Sequence, residues 1–171
     1  MTKSVDRETR FRLLVNQEVF AAVWRYCYRL TGNRHDAEDL SQESLARAFQ
    51  SLHQLSDHLL IKGWLFCIAR TTFIDWHRKK RIATIPLRSN HHAAEQESDR
   101  RLQVLREAVE ALPPLQREAI ELFHFDELSL REAAIALRVS TNTLKQRLHR
   151  ARESLRRRME TSLANGSLEA L

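Results

Sequence analysis

The sequence predicts an all-α protein made of two small helical domains joined by a flexible linker. The 171 residues include only three Gly and three Pro, so breaks in secondary structure are few. Several segments repeat apolar residues every three to four positions, which is typical of amphipathic helices. No segment shows sustained alternation of apolar and polar residues rich in β-branched side chains, so no sheet is expected.

Three amphipathic segments in the first half predict a three- to four-helix bundle over residues 7–82. The helices are expected at about 7–30, 35–55 and 61–81, and Gly32 supplies the left-handed turn that ends the first. The residues expected to face the core are Phe11, Leu14, Val15, Phe20, Val23, Trp24 and Cys27, then Ala37, Leu40, Ser44, Leu45, Ala48, Phe49 and Leu52, then Trp64, Leu65, Ile68, Ala69, Phe73, Ile74 and Trp76.

The periodicity is lost between the two halves, which predicts a linker over residues 83–98 and a second domain over residues 99–158. The second domain begins with a helix that ends near Leu112. Pro113 and Pro114 mark a boundary, and Pro114 suits the first turn of the next helix, which is expected to reach Phe125. Residues 159–171 are expected to form a frayed tail.

The most informative segment, residues 128–158, predicts a helix-turn-helix. The first helix is Leu130–Ala136, and Ser140 is expected to cap the second. The inward stripe of the second helix is expected to contain Leu144, Leu148, Ala151 and Leu155. Its outward face carries Asn142, Lys145, Gln146, His149 and Arg152, flanked by Arg147 and Arg150.

The positive charge is concentrated on this segment. Residues 129–158 contain nine Lys or Arg and two Glu, whereas residues 99–128 contain four basic and seven acidic residues. Arg and Lys can bind guanine edges and phosphates, and Asn and Gln can bind adenine, so the second helix suits the DNA major groove. The pI near 9.9 also favours an anionic partner.

Composition also bears on several other functions. The N-terminal residues lack the apolar segment of a signal peptide, and no apolar run approaches membrane length, so we expect a soluble cytoplasmic chain without membrane insertion. Cys27 and Cys67 are isolated, which favours buried free thiols. The eight His are scattered apart from His91 and His92 in the expected linker, and no metal, cofactor or nucleophile motif is present. We therefore expect no enzyme activity, no metal and no cofactor.

The chain resembles the extracytoplasmic function (ECF) group of bacterial sigma factors over about residues 10–82 and 99–158. The acidic and amide motif Ala37–Glu43, placed upstream of a helix-turn-helix, is the most specific part of this resemblance. The other matching segments are Tyr28–Asn33, Ala46–Phe49, Lys62–Arg70 with Asp75, Leu112–Arg117, Leu130–Ala134, Thr143–Arg147 and Arg150–Arg152.

The resemblance implies sigma domains 2 and 4 and a role for each. Domain 2 would dock on the coiled coil of the largest subunit of RNA polymerase, and it would hold the opened minus-ten promoter element, with a flipped base captured by the loop Ser56–Leu60. Domain 4 would bind the minus-thirty-five element. The implied docking residues are Asp39, Gln42 and Glu43. The DNA-binding residues that we predict are Arg70, Arg78, Lys79, Lys80, Arg81, Asn142, Thr143, Lys145, Gln146, His149 and Arg150, and Trp76 is only a weak candidate.

Three features depart from the family pattern. Thr71 stands where members often have Asn, and the loop after Leu55 lacks the usual Gly. Arg138 stands where the turn often has Gly, so either the turn has another geometry or Arg138 adopts a strained left-handed conformation.

The sequence therefore predicts a non-catalytic alternative sigma factor that selects promoters and is controlled by a helical anti-sigma factor masking both domains. One alternative is a helix-turn-helix regulator that does not bind polymerase, and another is an adaptor or anti-sigma partner. The motif Ala37–Glu43 argues against the first, and the basic recognition helix argues against the second.

Overall fold

The computed structural model describes residues 6–81 and 100–168, with side chains for residues 6–79 and 103–161. The described residues form eight α-helices and no strand, which confirms the predicted all-α class. The helices are α1 (Arg7–Leu14), α2 (Gln17–Thr31), α3 (Arg34–Gln50), α4 (Ile61–Arg81), α5 (Arg100–Glu110), α6 (Pro114–Ile120), α7 (Leu130–Ala136) and α8 (Thr141–Leu168).

The chain divides into two compact units, as the sequence predicts. The first unit contains α1 to α4, and the second contains α5, α6 and α8. The short segment Ala134–Arg138, which includes the last three residues of α7, is grouped with the first unit. The linker predicted over residues 83–98 lies outside the described residues.

The first unit is a bundle in which α2, α3 and α4 pack against one another. Tyr26 and Phe66 stack at its centre, with ring centroids 4.4 Å apart and planes 10° from parallel. Burial of such aromatic pairs provides both apolar area and a specific geometry. The other fully or nearly fully buried side chains of this core are Val19, Ala22, Val23, Cys27, Ala37, Leu40, Ser41, Ser44, Ala48, Leu52, Leu55, Ile61, Leu65, Ala69 and Thr72.

The predicted first helix is wrong in one respect, because it is two helices. The break falls after Leu14, and the side chain of Asn16 starts α2 by accepting a hydrogen bond from the Val19 N–H at 2.9 Å. An Asn at this position satisfies a backbone donor that a continuous helix would otherwise bond. The predicted stop is confirmed, since Gly32 is left-handed with φ 74°. Phe20, expected in the core, is 45% exposed.

The bounds of α4 match the prediction, but the buried stripe of this helix differs. Trp64, Ile68 and Phe73 are only half-buried. The residues that fill the core are Ile61, Leu65, Phe66, Ala69 and Thr72. Trp64 and Ile68 are four positions apart, as are Leu65 and Ala69, so periodicity alone could not choose between these two pairs. The buried hydroxyl of Thr72 donates to the Ile68 carbonyl at 2.9 Å, which explains how a polar residue is tolerated there.

The short helix α1 is attached to the C-terminal end of α3. The Arg7 guanidinium donates to the carbonyls of Phe49 and Gln50 and lies over the Phe49 ring. Phe11 meets the same ring edge-on at 5.4 Å. A cation at this end of a helix binds carbonyls that have no partner within the helix.

In the second unit, α8 packs against α5 and α6. Residues Glu121–Phe125 continue α6 as one π-helical turn. The backbone of α8 continues to Leu168, so the boundary expected after Arg158 is too early. A single glycine such as Gly166 lowers helix stability by only about 1 kcal/mol and removes no hydrogen-bond donor, so it does not by itself end a helix.

The two cysteines are free, as expected, but only Cys27 is fully buried. Burial raises the pKa of the Cys27 thiol to about 12, so this side chain stays protonated at neutral pH. Cys67 is half-buried. Among the described residues there is no cluster of His, Cys, Asp or Glu suited to a metal, and no helix long and apolar enough to cross a membrane.

Candidate polymerase and nucleic-acid interface

The backbone of the helix-turn-helix is set by two residues of its turn. Arg138 has φ 53°, so of the two geometries left open by the sequence, the left-handed conformation is the one adopted. Ser140 then caps α8, because its hydroxyl oxygen accepts a hydrogen bond from the Thr143 N–H at 3.0 Å. This confirms the predicted cap, and it fixes where the recognition helix begins.

The helix before the turn begins with a reciprocal cap that the sequence analysis overlooked. The Ser129 N–H and hydroxyl donate to the Glu132 carboxylate at 2.9 and 2.7 Å, and the Glu132 N–H donates back to the Ser129 hydroxyl oxygen at 3.3 Å. The spacing Ser-x-x-Glu is the sequence signal that reveals it. Just upstream of this cap, Glu127 has φ 54°.

The outward face of α8 presents most of the side chains predicted to bind DNA. Leu144, Leu148 and Ala151 are buried on the opposite side, as expected, and Leu155 is half-buried. Thr143 is also half-buried and bonds to the Ser140 hydroxyl at 2.9 Å, so it supports the start of the helix. The predicted residues that are exposed are Asn142, Lys145, Gln146, His149 and Arg150.

The exposed side chains on the outward face of α8 form few hydrogen bonds or ion pairs within the described part of the chain. His149 lies 3.8 Å from the Glu153 carboxylate, and both side chains are well exposed. Such exposed pairs add little stability and are screened by salt. Within the described residues, Lys145, Gln146 and Arg150 have no side-chain partner, so their donors are available to a ligand.

Arg152 is more constrained than the sequence suggested. Its guanidinium lies 5.8 Å from the Phe123 ring centroid and 3.3 Å from the His124 Nε2 atom. These contacts attach the middle of α8 to the π-helical turn. No sequence signal identified this contact, because it depends on the π-helical turn.

On the first unit, α3 carries the acidic and amide residues predicted to dock on polymerase. Asp39 and Gln42 are exposed. Asp39 has one weak neighbour, His35, at 3.8 Å. Glu43 differs because it is half-buried and both of its carboxylate oxygens have partners within the chain.

The partners of Glu43 form a network between α3 and α4. Its Oε1 atom lies 2.5 Å from the Arg47 guanidinium, and its Oε2 atom accepts a hydrogen bond from the Trp76 indole N–H at 2.6 Å. Arg47 also reaches the Asp75 carboxylate at 3.3 Å, and Asp75 lies 3.5 Å from Arg78. We call these five residues the α3–α4 network. Trp76 is thus held by a carboxylate, a role that the sequence analysis did not foresee.

The network leads into the basic end of α4. Arg70 is half-buried, whereas Arg78 and Lys79 are exposed. The side chains of Lys80 and Arg81 lie outside the described part of the chain. The predicted cations whose side chains are described, Arg70, Arg78 and Lys79, therefore lie along one helix. Arg78 and Lys79 are two and three positions after Trp76.

The loop predicted to receive a flipped base contains one very exposed apolar residue, Leu59, at 85% exposure. The Asp57 carboxylate accepts a hydrogen bond from the Leu59 N–H at 3.0 Å and shapes a 3-10 turn over His58–Leu60. Arg10 of α1 contacts the His58 ring. One polar contact within the loop and one from α1 therefore hold its middle, while Leu59 is exposed to solvent.

Comparison with known families covers both units. Residues 17–82 match the family described as Sigma-70 region 2, and residues 102–155 match Sigma-70 region 4. The first range contains α2 to α4. The second contains most of α5, all of α6 and α7, and residues 141–155 of α8. Helix α1 lies outside both ranges.

Two curated relatives are similar over most of this chain. One is the ECF RNA polymerase sigma factor SigE of Mycolicibacterium smegmatis, 36% identical over 144 residues, with 78% of this chain and 56% of the relative covered. The other is the ECF RNA polymerase sigma factor SigM of Bacillus subtilis, 36% identical over 141 residues. The match to SigM covers 78% of this chain and 86% of the relative.

Among solved structures, the sigma factor RpoE from Bartonella quintana, crystallised with the anti-sigma factor NepR, has a TM-score of 0.63 and 28% identity. That match covers 91% of this chain and 98% of the other. The structure of CnrH in complex with the cytosolic domain of CnrY shares the fold, with a TM-score of 0.57 and 23% identity over 92% of each chain. Together with the two region matches and the SigM identity, these findings show that the chain belongs to the ECF group of the sigma-70 family.

Proposed function

We propose that this protein is a dissociable, non-catalytic subunit of RNA polymerase that docks through α3 and reads promoter DNA through α8 and the basic end of α4. The observation that carries the proposal is the exposed polar and basic face of α8, which is presented by a helix with a defined start at Ser140. The available donors of Lys145 and Gln146 suit the base edges of a major groove.

The charges of the chain support the assignment of the docking surface to α3. Asp39 and Gln42 are exposed on one face of α3 in a chain with a net charge of +6. An acidic and amide face on a basic protein favours a basic helical partner, such as the coiled coil of the largest polymerase subunit. Exposed side chains one turn apart on a packed helix present a fixed pattern to such a partner.

Two surfaces support DNA binding, one suited to duplex DNA and the other to opened strands. The face of α8 fits duplex DNA. The end of α4 combines cations with Trp76, and the loop carrying Leu59 lies just before this helix. Opened strands are bound by cationic surfaces with aromatic or apolar groups that receive unstacked bases. We therefore assign the minus-thirty-five element to α8 and the minus-ten element to α4 and its preceding loop.

The test for α8 is run-off transcription with purified core enzyme on a promoter library. Lys145→Ala and Gln146→Ala should each relax base preference, at a cost of about 1–3 kcal/mol if a base edge is contacted. Arg150→Ala should weaken binding to all sequences and reduce the salt dependence by about one counterion. Arg106→Ala, which removes an exposed cation from α5, is the matched control. A promoter preference unchanged by all three α8 variants would contradict the proposal.

The test for α3 is direct measurement of core affinity. Asp39→Lys together with Gln42→Ala should weaken binding to core enzyme while helicity by circular dichroism is retained. Gln17→Ala, at an exposed glutamine of α2, should leave the affinity unchanged. Equal affinity for all these variants would contradict docking through α3. No measurable affinity of the unaltered protein for core enzyme would support the alternative, a DNA-binding regulator that does not bind polymerase.

The proposal extends to regulation by an anti-sigma protein. The solved structure of RpoE from Bartonella quintana contains such a partner, and this chain is 28% identical to that sigma factor. A partner that covers the exposed faces of α3 and α8 would block docking and DNA binding together. Copurification from the native cell, followed by competition with core enzyme, tests this. Free protein that transcribes fully without any inducing signal would contradict it.

A further inference from the structure

The α3–α4 network places a predicted docking residue and a half-buried tryptophan in direct contact. The Glu43 carboxylate is the only group among the described residues seen to accept a hydrogen bond from the Trp76 indole N–H, at 2.6 Å. Its other oxygen lies 2.5 Å from Arg47. Because both oxygens are engaged, Glu43 has less freedom than Asp39 or Gln42 to contact another protein.

The network continues along α4 toward the predicted DNA-binding end. Arg47 spans the two helices, since it contacts Glu43 on α3 and Asp75 on α4 at 3.3 Å. Asp75 is also within 3.5 Å of the Arg78 guanidinium. The carboxylates and guanidiniums alternate in sign along this path. The bonds of Arg47 to Glu43 and Asp75 are half-buried and charge-assisted, and such bonds fix side-chain orientation more firmly than isolated exposed pairs.

We infer that Glu43 is a positioning residue, whose carboxylate holds Trp76 and, through Arg47 and Asp75, sets the orientation of the end of α4 for opened promoter DNA. This inference deepens the proposed function and rests on the assignment of α4 to the minus-ten element. The Glu43 side chain acts through Trp76 and Arg47 and not through a contact with polymerase. The docking face of α3 is then centred on Asp39 and Gln42.

The geometry explains why this arrangement suits strand opening. An aromatic ring that receives an unstacked base must be fixed in angle and position, because a freely rotating ring loses entropy when the base binds. The bond from the indole N–H to Glu43 fixes the ring of Trp76 on one side. The exposed cations Arg78 and Lys79 follow within the next turn of α4, so they can contact phosphates of a strand bound at Trp76.

The experiment compares core affinity with promoter opening in reconstituted holoenzyme. The variants are Glu43→Ala, Glu43→Gln, Trp76→Phe, and Glu43→Ala combined with Trp76→Phe. Core affinity is measured by titration, and opening is measured on a duplex promoter and on one with a pre-opened minus-ten region. The core affinity of the Gln42→Ala variant reports on docking itself.

We expect Glu43→Ala and Trp76→Phe each to slow opening on the duplex about tenfold, the size expected when one charge-assisted hydrogen bond is lost. The double variant should be no slower than the more affected single variant, because both changes break the same bond. Core affinity should stay within about twofold, the scatter allowed for sites that do not touch the partner. Glu43→Gln keeps an acceptor oxygen for the indole and should be less affected than Glu43→Ala.

A fluorescence measurement separates positioning from general destabilisation. The emission of Trp76, obtained as the difference from Trp76→Phe, should shift to longer wavelength in Glu43→Ala and remain unchanged in Gln42→Ala. If Glu43→Ala folds poorly, Glu43→Gln and Trp76→Phe still allow the comparison, since each changes fewer atoms.

Several outcomes would overturn the inference. Loss of core affinity in Glu43→Ala but not in Trp76→Phe would make Glu43 a docking contact. Additive effects in the double variant would show that the two residues act separately. Slow opening in Trp76→Phe with normal opening in Glu43→Ala would assign the role to Trp76 alone. Failure of the docking proposal is distinct, because it appears as unchanged core affinity in Gln42→Ala.

Discussion

The two units present their predicted functional side chains in different ways. In the first unit, Glu43, Arg47, Asp75 and Trp76 bond to one another across two packed helices. In the second unit, the outward side chains of α8 are mostly exposed, and what is fixed is the start of the helix at Ser140. The first arrangement constrains side chains, whereas the second constrains the backbone and leaves long side chains free to adapt.

This difference matches the two tasks proposed for the units. A duplex groove has a regular shape, so a correctly placed helix with adaptable side chains can read it. Opened DNA has no regular shape, and binding it favours groups that are already oriented. The comparison predicts that stability, helix placement and backbone strain can be changed separately in the two units.

The largest expected effect comes from breaking the core of one unit. Phe66 is fully buried and stacks on Tyr26, so Phe66→Ala should destabilise the first unit by about 3–5 kcal/mol. Hydrogen exchange read out by peptide should show lost protection in α2 to α4. Protection in α5, α6 and α8 should persist, because those helices have their own buried residues.

The matching change in the second unit is Leu148→Ala. Leu148 is 3% exposed on the inward side of α8, and its truncation should cost about 2–5 kcal/mol. Loss of protection should then be confined to the second unit. If either variant unfolds both units in one transition, the division into two independently stable units is wrong.

A smaller effect tests whether the start of α8 matters for DNA reading. Ser140→Ala and Asn16→Ala each remove a side-chain cap, and each should cost about 1 kcal/mol. Only Ser140→Ala should also weaken binding to the minus-thirty-five element, because Asn16 caps a helix of the other unit. Ser140→Thr retains the hydroxyl and serves as the control. Equal DNA binding by Ser140→Ala and Asn16→Ala would show that the cap does not position the recognition helix.

The smallest effect is expected from relieving backbone strain. Glu127 has φ 54°, a conformation that costs a residue with a Cβ atom about 1–2 kcal/mol. Glu127→Gly should therefore stabilise the second unit by up to about 1 kcal/mol, after the larger entropy of glycine in the unfolded chain is counted. Thermal and denaturant unfolding measure this change.

The same replacement inside a helix gives the control with the opposite sign. Glu107 lies within α5, so Glu107→Gly should destabilise the second unit by about 1 kcal/mol. If Glu127→Gly also destabilises, the left-handed residue is stabilised by contacts of its side chain, and the strain argument fails.

Features that depend on local chemistry could be predicted from the order of the amino acids alone. The all-α class, the bounds of α4, the stop at Gly32 and the cap at Ser140 all follow from helical periodicity or from one residue's preference for a helix end. The exposed character of Lys145 and Gln146 followed as well, because buried Leu144 and Leu148 fix which side of α8 is outward.

Features that depend on neighbours distant in sequence could not be predicted in this way, because they arise from packing between helices. Trp64 and Ile68 have the same helical spacing as Leu65 and Ala69, and packing on α2 and α3 selected the stripe that is buried. Likewise, Glu43 and Trp76 are 33 positions apart, so their hydrogen bond exists only because α3 and α4 pack together. Hydrophobic periodicity indicates which side chains share a face of one helix. Contacts between helices depend on which of those faces pack together.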